Sequence, residues 1–206
     1  MPEPHIPLTP QNSVILLIDH QPGVLDMVDS VPRETVAANV GMLARLGDRT
    51  ELPLVVTSTR ENLGFLGTSI KEIQDGAPSA YENRIAREGQ LNAFLDPRFV
   101  DAIKATERQN LIMAGILTDV CLWHTAVSAV EAGYHVRVVA DANGTTTELA
   151  DRVTYDRLRE LGVEVSTTYG TLFELFNDLG TEEGKLAEAI AIGQDLAVTP
   201  EHHHPG

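Results

Sequence analysis

Short unbroken apolar runs alternate along this chain with stretches in which apolar residues recur every three or four positions. The first run, Ser13–Asp19 (SVILLID), sets five consecutive apolar residues before an aspartate, the pattern of a strand covered on both faces. Arg33–Asp48 carries Val36, Val40, Leu43 and Leu46 at helical spacing, and Pro32 suits the helix start. Leu52–Thr59 is a second apolar run, ending in small hydroxyl residues. Strand, helix, strand in this order predicts a right-handed crossover and parallel pairing. Asp96 and Pro97 supply the cap and first position of a helix reaching Glu107. Asn110–Gly133 reads as a buried strand through Leu111, Ile112 and Met113, a tight turn at Gly115, and a helix. Val120, Trp123, Val127 and Val130 mark that helix, Thr118 or Asp119 its cap and Gly133 its end.

His135–Asp141 repeats the strand signature, with Asp141 as a turn residue. Thr145 and Glu148 have capping-box spacing and open a helix through Leu149, Val153, Leu158 and Leu161, ended by Gly162. Val163–Thr168 is a further strand and Thr171–Leu179 a short helix. The alternation predicts an α/β protein: a three-layer α/β/α sandwich around a mostly parallel, five- to six-stranded sheet. One domain with an N-terminal arm covers residues 1–180, and 181–206 forms a tail with room for an amphipathic helix. Two segments lack periodicity. Arg60–Thr68 carries Leu63, Phe65 and Leu66 between glycines, as a pocket lid, a subunit contact or a satellite of the core does. Gly76–Phe94, with Arg84, Arg87 and Asn92, is expected to be a long irregular loop, and such loops tend to be functional.

Composition narrows the functional classes. At 206 residues and 43% hydrophobic content the chain can bury a real core. A net charge of -15 disfavours nucleic-acid and anionic-membrane partners, which select basic patches. No apolar run is long enough to span a bilayer. Met1–Pro10 holds four prolines and no apolar core, so it reads as an extended arm on a neighbouring subunit rather than a signal peptide. A single cysteine forms no internal disulfide, and a reducing cytoplasm is the expected setting. The chain has no G-x-x-x-x-G-K-[ST], no G-x-G-x-x-G after a strand and no G-x-S-x-G elbow. His20, His124 and His135 fit no tight zinc motif, so no metal or other cofactor is expected. His202–His204 is assigned no role.

The candidate chemistry centres on Cys121. A helix start gathers unpaired N–H groups and the positive end of the macrodipole, which favour a thiolate and can stabilise an oxyanion. The structural alternative stands beside it, since a lone cysteine is commonly a small buried hydrophobe. Asp19 ends a strand on the face where open parallel sheets bind ligands, although a carboxylate there can equally cap a turn. His124 lies three residues after Cys121, but helical side chains lean toward the helix start, which assigns it to packing or an interface.

Strand-terminal Asp19, Ala86–Phe94 (AREGQLNAF) and Ala114–Cys121 (AGILTDVC) together resemble the isochorismatase-like cysteine hydrolases, in particular the YcaC-like subgroup. The likeness runs from about Ser13 to Leu179, and its strongest part is G-x-x-T-[DN]-x-C, met by Gly115, Thr118, Asp119 and Cys121. It implies Cys121 as nucleophile, Asp19 as base and Arg87 at the family's basic position, usually lysine. It implies an oxyanion hole from the Leu117 and Cys121 N–H groups and a cis peptide between Ile116 and Leu117. It also implies a homo-oligomer, from dimer to octamer. Arginine cannot shuttle a proton near neutrality as lysine can. The chain's three lysines, Lys71, Lys104 and Lys185, lie outside the motif. The metal-binding D-x-H of the nicotinamidase branch is absent around Arg60–Thr68. The expected activity is hydrolysis of a small carbonyl compound, an amide, through a thioester, with Phe65, Asn92, Phe94 and Trp123 as candidate pocket lining. A catalytically degenerate oligomeric scaffold or small-molecule binding protein is the alternative.

Overall fold

The computed structural model describes residues 6–196. Six strands form one parallel sheet: β1 (Ser13–Ile18), β2 (Leu54–Thr59), β3 (Ile85–Arg87), β4 (Asn110–Gly115), β5 (His135–Val139) and β6 (Glu164–Ser166). Their order is β3-β2-β1-β4-β5-β6. The order reverses at β1, so a crevice opens beyond the carboxyl ends of β1 and β4, where such sheets bind ligands. This is the three-layer architecture that the alternating runs predict.

The strand period of two divides the core. Ile15 and Leu17 of β1, with Ile112 and Ala114 of β4, share a cluster with α1 (Pro22–Leu25), α2 (Arg33–Arg49) and α3 (Lys71–Gly76). Val14, Leu16 and Ile18, with Leu111 and Met113, face α5 (Pro97–Ala105) and α6 (Trp123–Glu131). All these strand residues are fully buried. That explains why both central strands read as unbroken apolar runs.

The ends of the elements supply the corrections. Asp96 caps α5 through the Arg98 N–H at 2.9 Å, as its spacing predicts. Helix α7 (Glu148–Glu160) is capped by Thr147, whose hydroxyl accepts from Ala150, rather than by Thr145. Thr145 is buried and its hydroxyl donates to Asp119. Gly76–Phe94 is not one loop: it contains the short helix α4 (Pro78–Glu82) and the edge strand β3. Three residues are too few to show a periodicity, so β3 left no signal. The arm around Leu8 packs on its own chain: Leu8 is buried in the core and its N–H reaches Glu174 at 3.3 Å. Met1–His5 lie outside the described residues, as does His202–His204.

After residue 180 the chain continues as a helix, Glu182–Ala191, with Ala187, Ile190 and Ala191 buried in the core cluster shared with α2. Beyond it Asp195, almost fully buried, pairs with Arg45 at 2.7 Å and Arg49 at 3.0 Å, both on α2. No helix among the described residues is long and apolar enough to cross a membrane.

Gly23 ties the loop after β1 to the loop after β2, its N–H reaching the Leu66 carbonyl at 3.0 Å. A Cβ added there would stand 2.4 Å from the Phe65 carbonyl oxygen and 2.8 Å from Leu66 Cα, both backbone atoms that cannot rotate away. Gly23→Ala is therefore expected to cost about 1–3 kcal/mol of overpacking strain, lowering the melting temperature by about 2–12 °C. Thermal denaturation beside wild type checks it.

Candidate active site

The site is built where three strands end. β1 delivers Asp19, β3 delivers Arg87, and the turn after β4 delivers Cys121. Asp19 leaves the sheet in a left-handed conformation (φ 58°), an uncommon state for a residue other than glycine, which turns its carboxylate out of the strand direction. Its N–H still bonds Thr57 of β2 at 2.9 Å, so the turn starts from a fixed strand end. Strain of this kind costs about 1–3 kcal/mol and persists only where neighbours over-determine it.

Arg87 pairs in register with Thr59, and its side chain is buried against Asp19. One guanidinium nitrogen, Nη2, donates to Asp19 Oδ1. Nε donates to Thr57 Oγ1 at 2.9 Å, and Nη1 to the Gln90 carbonyl. Thr57 in turn donates to the Ile85 carbonyl at 2.7 Å, which fixes its lone pair toward Nε. The ion pair is thus held on both sides, as a buried pair must be to offset its loss of hydration.

Cys121 arrives through an irregular turn. The Ile116–Leu117 peptide bond is cis, and Thr118–Leu122 winds as a single π-helical turn before α6. The Leu122 N–H reaches the Leu117 carbonyl at 3.3 Å, five residues back. The turn is anchored from the β5 side: Asn143 Oδ1 accepts the Gly115 N–H at 2.7 Å, and the Gly144 carbonyl accepts the Thr118 N–H at 3.0 Å. Neither Thr118 nor Asp119 caps the helix, because the flanking strand already holds the turn. The Leu117 backbone hydrogen-bonds the Cys121 sulfur, and the Asp19 carboxylate lies against the same thiol.

The electrostatics differ from the helix-start expectation. Burial pushes the Cys121 thiol well above its ordinary pKa, and the adjacent Asp19 carboxylate pushes it further. Arg87 and the Leu117 backbone oppose this without overcoming it. Burial also raises the Asp19 carboxyl, against the lowering effects of Arg87 and of the bond to Cys121. The thiol is only 5% exposed and Asp19 not at all, so desolvation exceeds the helix-end field. The centre thus sets a thiol whose pKa is raised by burial and by Asp19 against the buried Asp19–Arg87 pair. Such a centre needs a base to release its sulfur. His20, next to that carboxylate, is fully buried with its pKa lowered by desolvation to about 4. Its Nε2 lies 3.0 Å from the Ala142 carbonyl, so near neutrality it is an uncharged wall.

The remaining candidates separate. Phe65 projects from the loop after β2, 70% exposed. Asn92 caps the turn Ala93–Leu95 by accepting the Phe94 N–H at 3.0 Å, and its Nδ2 donates to Ser128 at 2.8 Å. Phe94 stacks edge-on against Phe99 and Tyr134 at 5.9 and 6.2 Å between ring centres. The Trp123 ring carries the Arg157 guanidinium at 3.8 Å. These contacts are packing contacts, none of them to Asp19, Arg87 or Cys121. His124 is exposed on α6.

The sequence reading missed Gln21, which is fully buried. Its amide accepts the Thr59 N–H at 2.8 Å and donates to the Thr59 and Gly67 carbonyls at 2.9 and 2.6 Å, pinning the Phe65 loop to β2. Nothing about a glutamine in a loop signals this. For Thr57 a signal existed in the hydroxyl residues that end β2. A concavity of about 840 Å³ opens beside Asn110, His135 and Gly162, at the opposite edge of the sheet from the three side chains. Among the described residues no group of three or more His, Cys, Asp or Glu side chains could hold a metal ion.

A six-stranded parallel sheet in this order, flanked by helices, is the isochorismatase-like α/β fold. Residues 13–169 match the isochorismatase domain, and the chain belongs to that family. Within the family it is similar to YcaC. It is 36% identical over 178 residues to "Probable hydrolase YcaC" of Escherichia coli (strain K12), covering 86% of this chain and 84% of that protein. The crystal structure of the Escherichia coli YcaC gene product, described as an octameric hydrolase of unknown specificity, superposes with TM-score 0.82 at 32% identity. That match covers 95% of this chain and 100% of the other. YcaC from Pseudomonas aeruginosa, solved with hexane-2,5-diol and covalent acrylamide, gives TM-score 0.83 at 30% identity, covering 95% and 99%. The chain is accordingly an isochorismatase-family hydrolase.

Proposed function

We propose that this chain is a cysteine hydrolase that cleaves a small amide through a thioester on Cys121. The observation that carries the reading is the meeting of a buried thiol with a carboxylate that is itself clamped by a guanidinium. Asp19 takes the thiol proton as the sulfur attacks the substrate carbonyl carbon. The N–H groups of Leu117 and Cys121 hold the oxygen as it becomes negative. Collapse of the tetrahedral intermediate breaks the C–N bond, and the proton on Asp19 passes to the departing amine. Water, deprotonated by the same carboxylate, then cleaves the C–S bond, releasing the acid and restoring the thiol. Arg87 cannot donate or accept a proton at neutral pH; its part is to keep Asp19 ionised and aimed.

The covalent acrylamide described for Pseudomonas aeruginosa YcaC supports the reading, because the one thiol of this chain that would take such an electrophile is Cys121. The octameric Escherichia coli YcaC supports a homo-oligomer here, and the lone thiol supports a reducing, cytoplasmic setting. The near-complete burial of all three side chains favours a second reading, a closed and catalytically degenerate scaffold.

One experiment separates the two. Purified protein is mixed with a panel of small primary amides, quenched in acid and weighed intact. The hydrolase reading expects a mass gain equal to the substrate acyl group, absent in Cys121→Ala and discharged by hydroxylamine as the hydroxamate. Turnover that proceeds undiminished in Cys121→Ala ends the cysteine mechanism, and no turnover or adduct with any amide leaves the scaffold.

A further inference from the structure

We propose that Thr125 is a positioning residue that couples the arginine-bearing segment to the nucleophile. The inference deepens the cysteine-hydrolase reading, on which its catalytic meaning rests. Thr125 is fully buried, one turn beyond Cys121 on α6. Its hydroxyl donates to the Cys121 carbonyl at 2.7 Å. By itself that is the ordinary back-bond of a helical threonine. Here the same oxygen also accepts the Ala93 N–H at 3.1 Å, across 32 residues of sequence. Ala93 is itself fully buried, so that N–H has no access to solvent as an alternative partner. One turn further along, Asn92 reaches Ser128 at 2.8 Å. The 92–95 segment is therefore laid along α6 by two successive side-chain bonds.

The segment matters because of what precedes it. Gln90, three residues before Ala93, offers the carbonyl that receives Arg87 Nη1. Arg87 is held on its inner side by Thr57, a strand residue, and on its outer side by this loop carbonyl. Gly89, at φ 147°, lies between the two and gives the loop no stiffness of its own. The outer anchor is tied to α6 through the bonds of the residues that follow it. The Thr125 oxygen thus sets one distance with two consequences: the place of the Cys121 backbone, and the place of the guanidinium that opposes the upward shift of its thiol.

The test is the pH profile of thiol alkylation by iodoacetamide, followed by intact mass. The chain has one cysteine, so the adduct that is absent from Cys121→Ala reports Cys121. Thr125→Val keeps the shape and removes both bonds. It is expected to displace the profile upward by about one pH unit, which lowers the alkylation rate at neutral pH about tenfold. Thr125→Ser, which restores the hydroxyl, is expected to return the profile to that of wild type. A Thr125→Val protein with lowered melting temperature and an unmoved profile overturns the proposal, since a purely structural threonine would behave that way. Should Thr125→Val fail to fold, Thr125→Ala carries the test, since it removes the same two bonds with a smaller side chain. A profile displaced in the same direction supports the coupling, and an unmoved one overturns it. Because alkylation needs no substrate, failure here is distinct from failure of the hydrolase reading, which the acyl-adduct experiment decides.

Discussion

Cys121→Ala is expected to lower turnover of any amide the protein hydrolyses by about 10³–10⁶-fold, with the fold intact. Removing the nucleophile from a catalytic unit costs that much because the remaining groups have nothing to activate. The magnitude also follows from the resting state. Burial and Asp19 raise the thiol pKa, so in the proposed mechanism the carboxylate and guanidinium serve to make a thiolate at the moment of attack, and without sulfur they have no nucleophile to activate. The folded state should tolerate the change, since alanine leaves the Asp19–Arg87 pair in place and removes one atom from a tight corner. Steady-state kinetics with circular dichroism as the folding control checks the expectation. A mutant retaining more than about a tenth of wild-type activity would move the chemistry to another residue, because the loss of a true nucleophile is orders of magnitude larger.

Arg87→Met is expected to be the most damaging single change to stability among the three site residues. It deletes one member of a pair whose side chains are both completely inaccessible, and it leaves Asp19 buried without a counter-charge. Breaking a buried pair from one side costs about 3–5 kcal/mol. For a chain of this size that corresponds to a fall of about 6–20 °C in melting temperature. The pH dependence has a definite sign. Asp19 already has a raised pKa in the folded state, and losing Arg87 removes the largest lowering influence upon it. The cost of keeping that carboxylate charged, or of protonating it, is greatest near neutrality. It shrinks as pH falls toward the carboxylate's unfolded value of about 3.9, where both states carry the proton. The deficit of Arg87→Met relative to wild type should therefore narrow on acidification; a deficit that widens or stays constant refutes the assigned cause. Arg87→Lys is the informative companion, because it restores the charge without the three-way fork. It should recover part of the stability and lose the simultaneous grip on Thr57, Gln90 and Asp19.

The fold was legible where burial is two-sided. Val14–Ile18 and Leu111–Met113 are apolar without interruption because helices cover both faces, and the sequence pattern says so directly. Asp96–Pro97 was legible because capping is a local interaction. Thr145 misled for the opposite reason: its hydroxyl is used by Asp119, 26 residues away, and the true cap is two residues later. The edge strand was invisible because Ile85–Arg87 is too short to express a period, and Arg87 was located by family likeness alone. The state of the thiol was misread because the helix end is visible in sequence, whereas the burial and carboxylate that outweigh it depend on tertiary structure. Phe94 and Trp123 pack against the core cluster that contains Cys121, but aromatic character near a motif did not reveal their ring partners, Phe99, Tyr134 and Arg157.

The strand order has a consequence for how the centre comes into being during synthesis. Everything on one side of β1, up to and including Arg87, lies in the first half of the chain, and everything on the other side follows Asn110. The partners of the ion pair, themselves 68 residues apart, thus both leave the ribosome before the sulfur they flank. The second half then adds its strands against the exposed flank of β1, and Cys121 is the last of the three to take its seat. A nascent chain halted between the two halves would carry both members of the ion pair and no thiol, so the three side chains can meet only once β4 has joined β1.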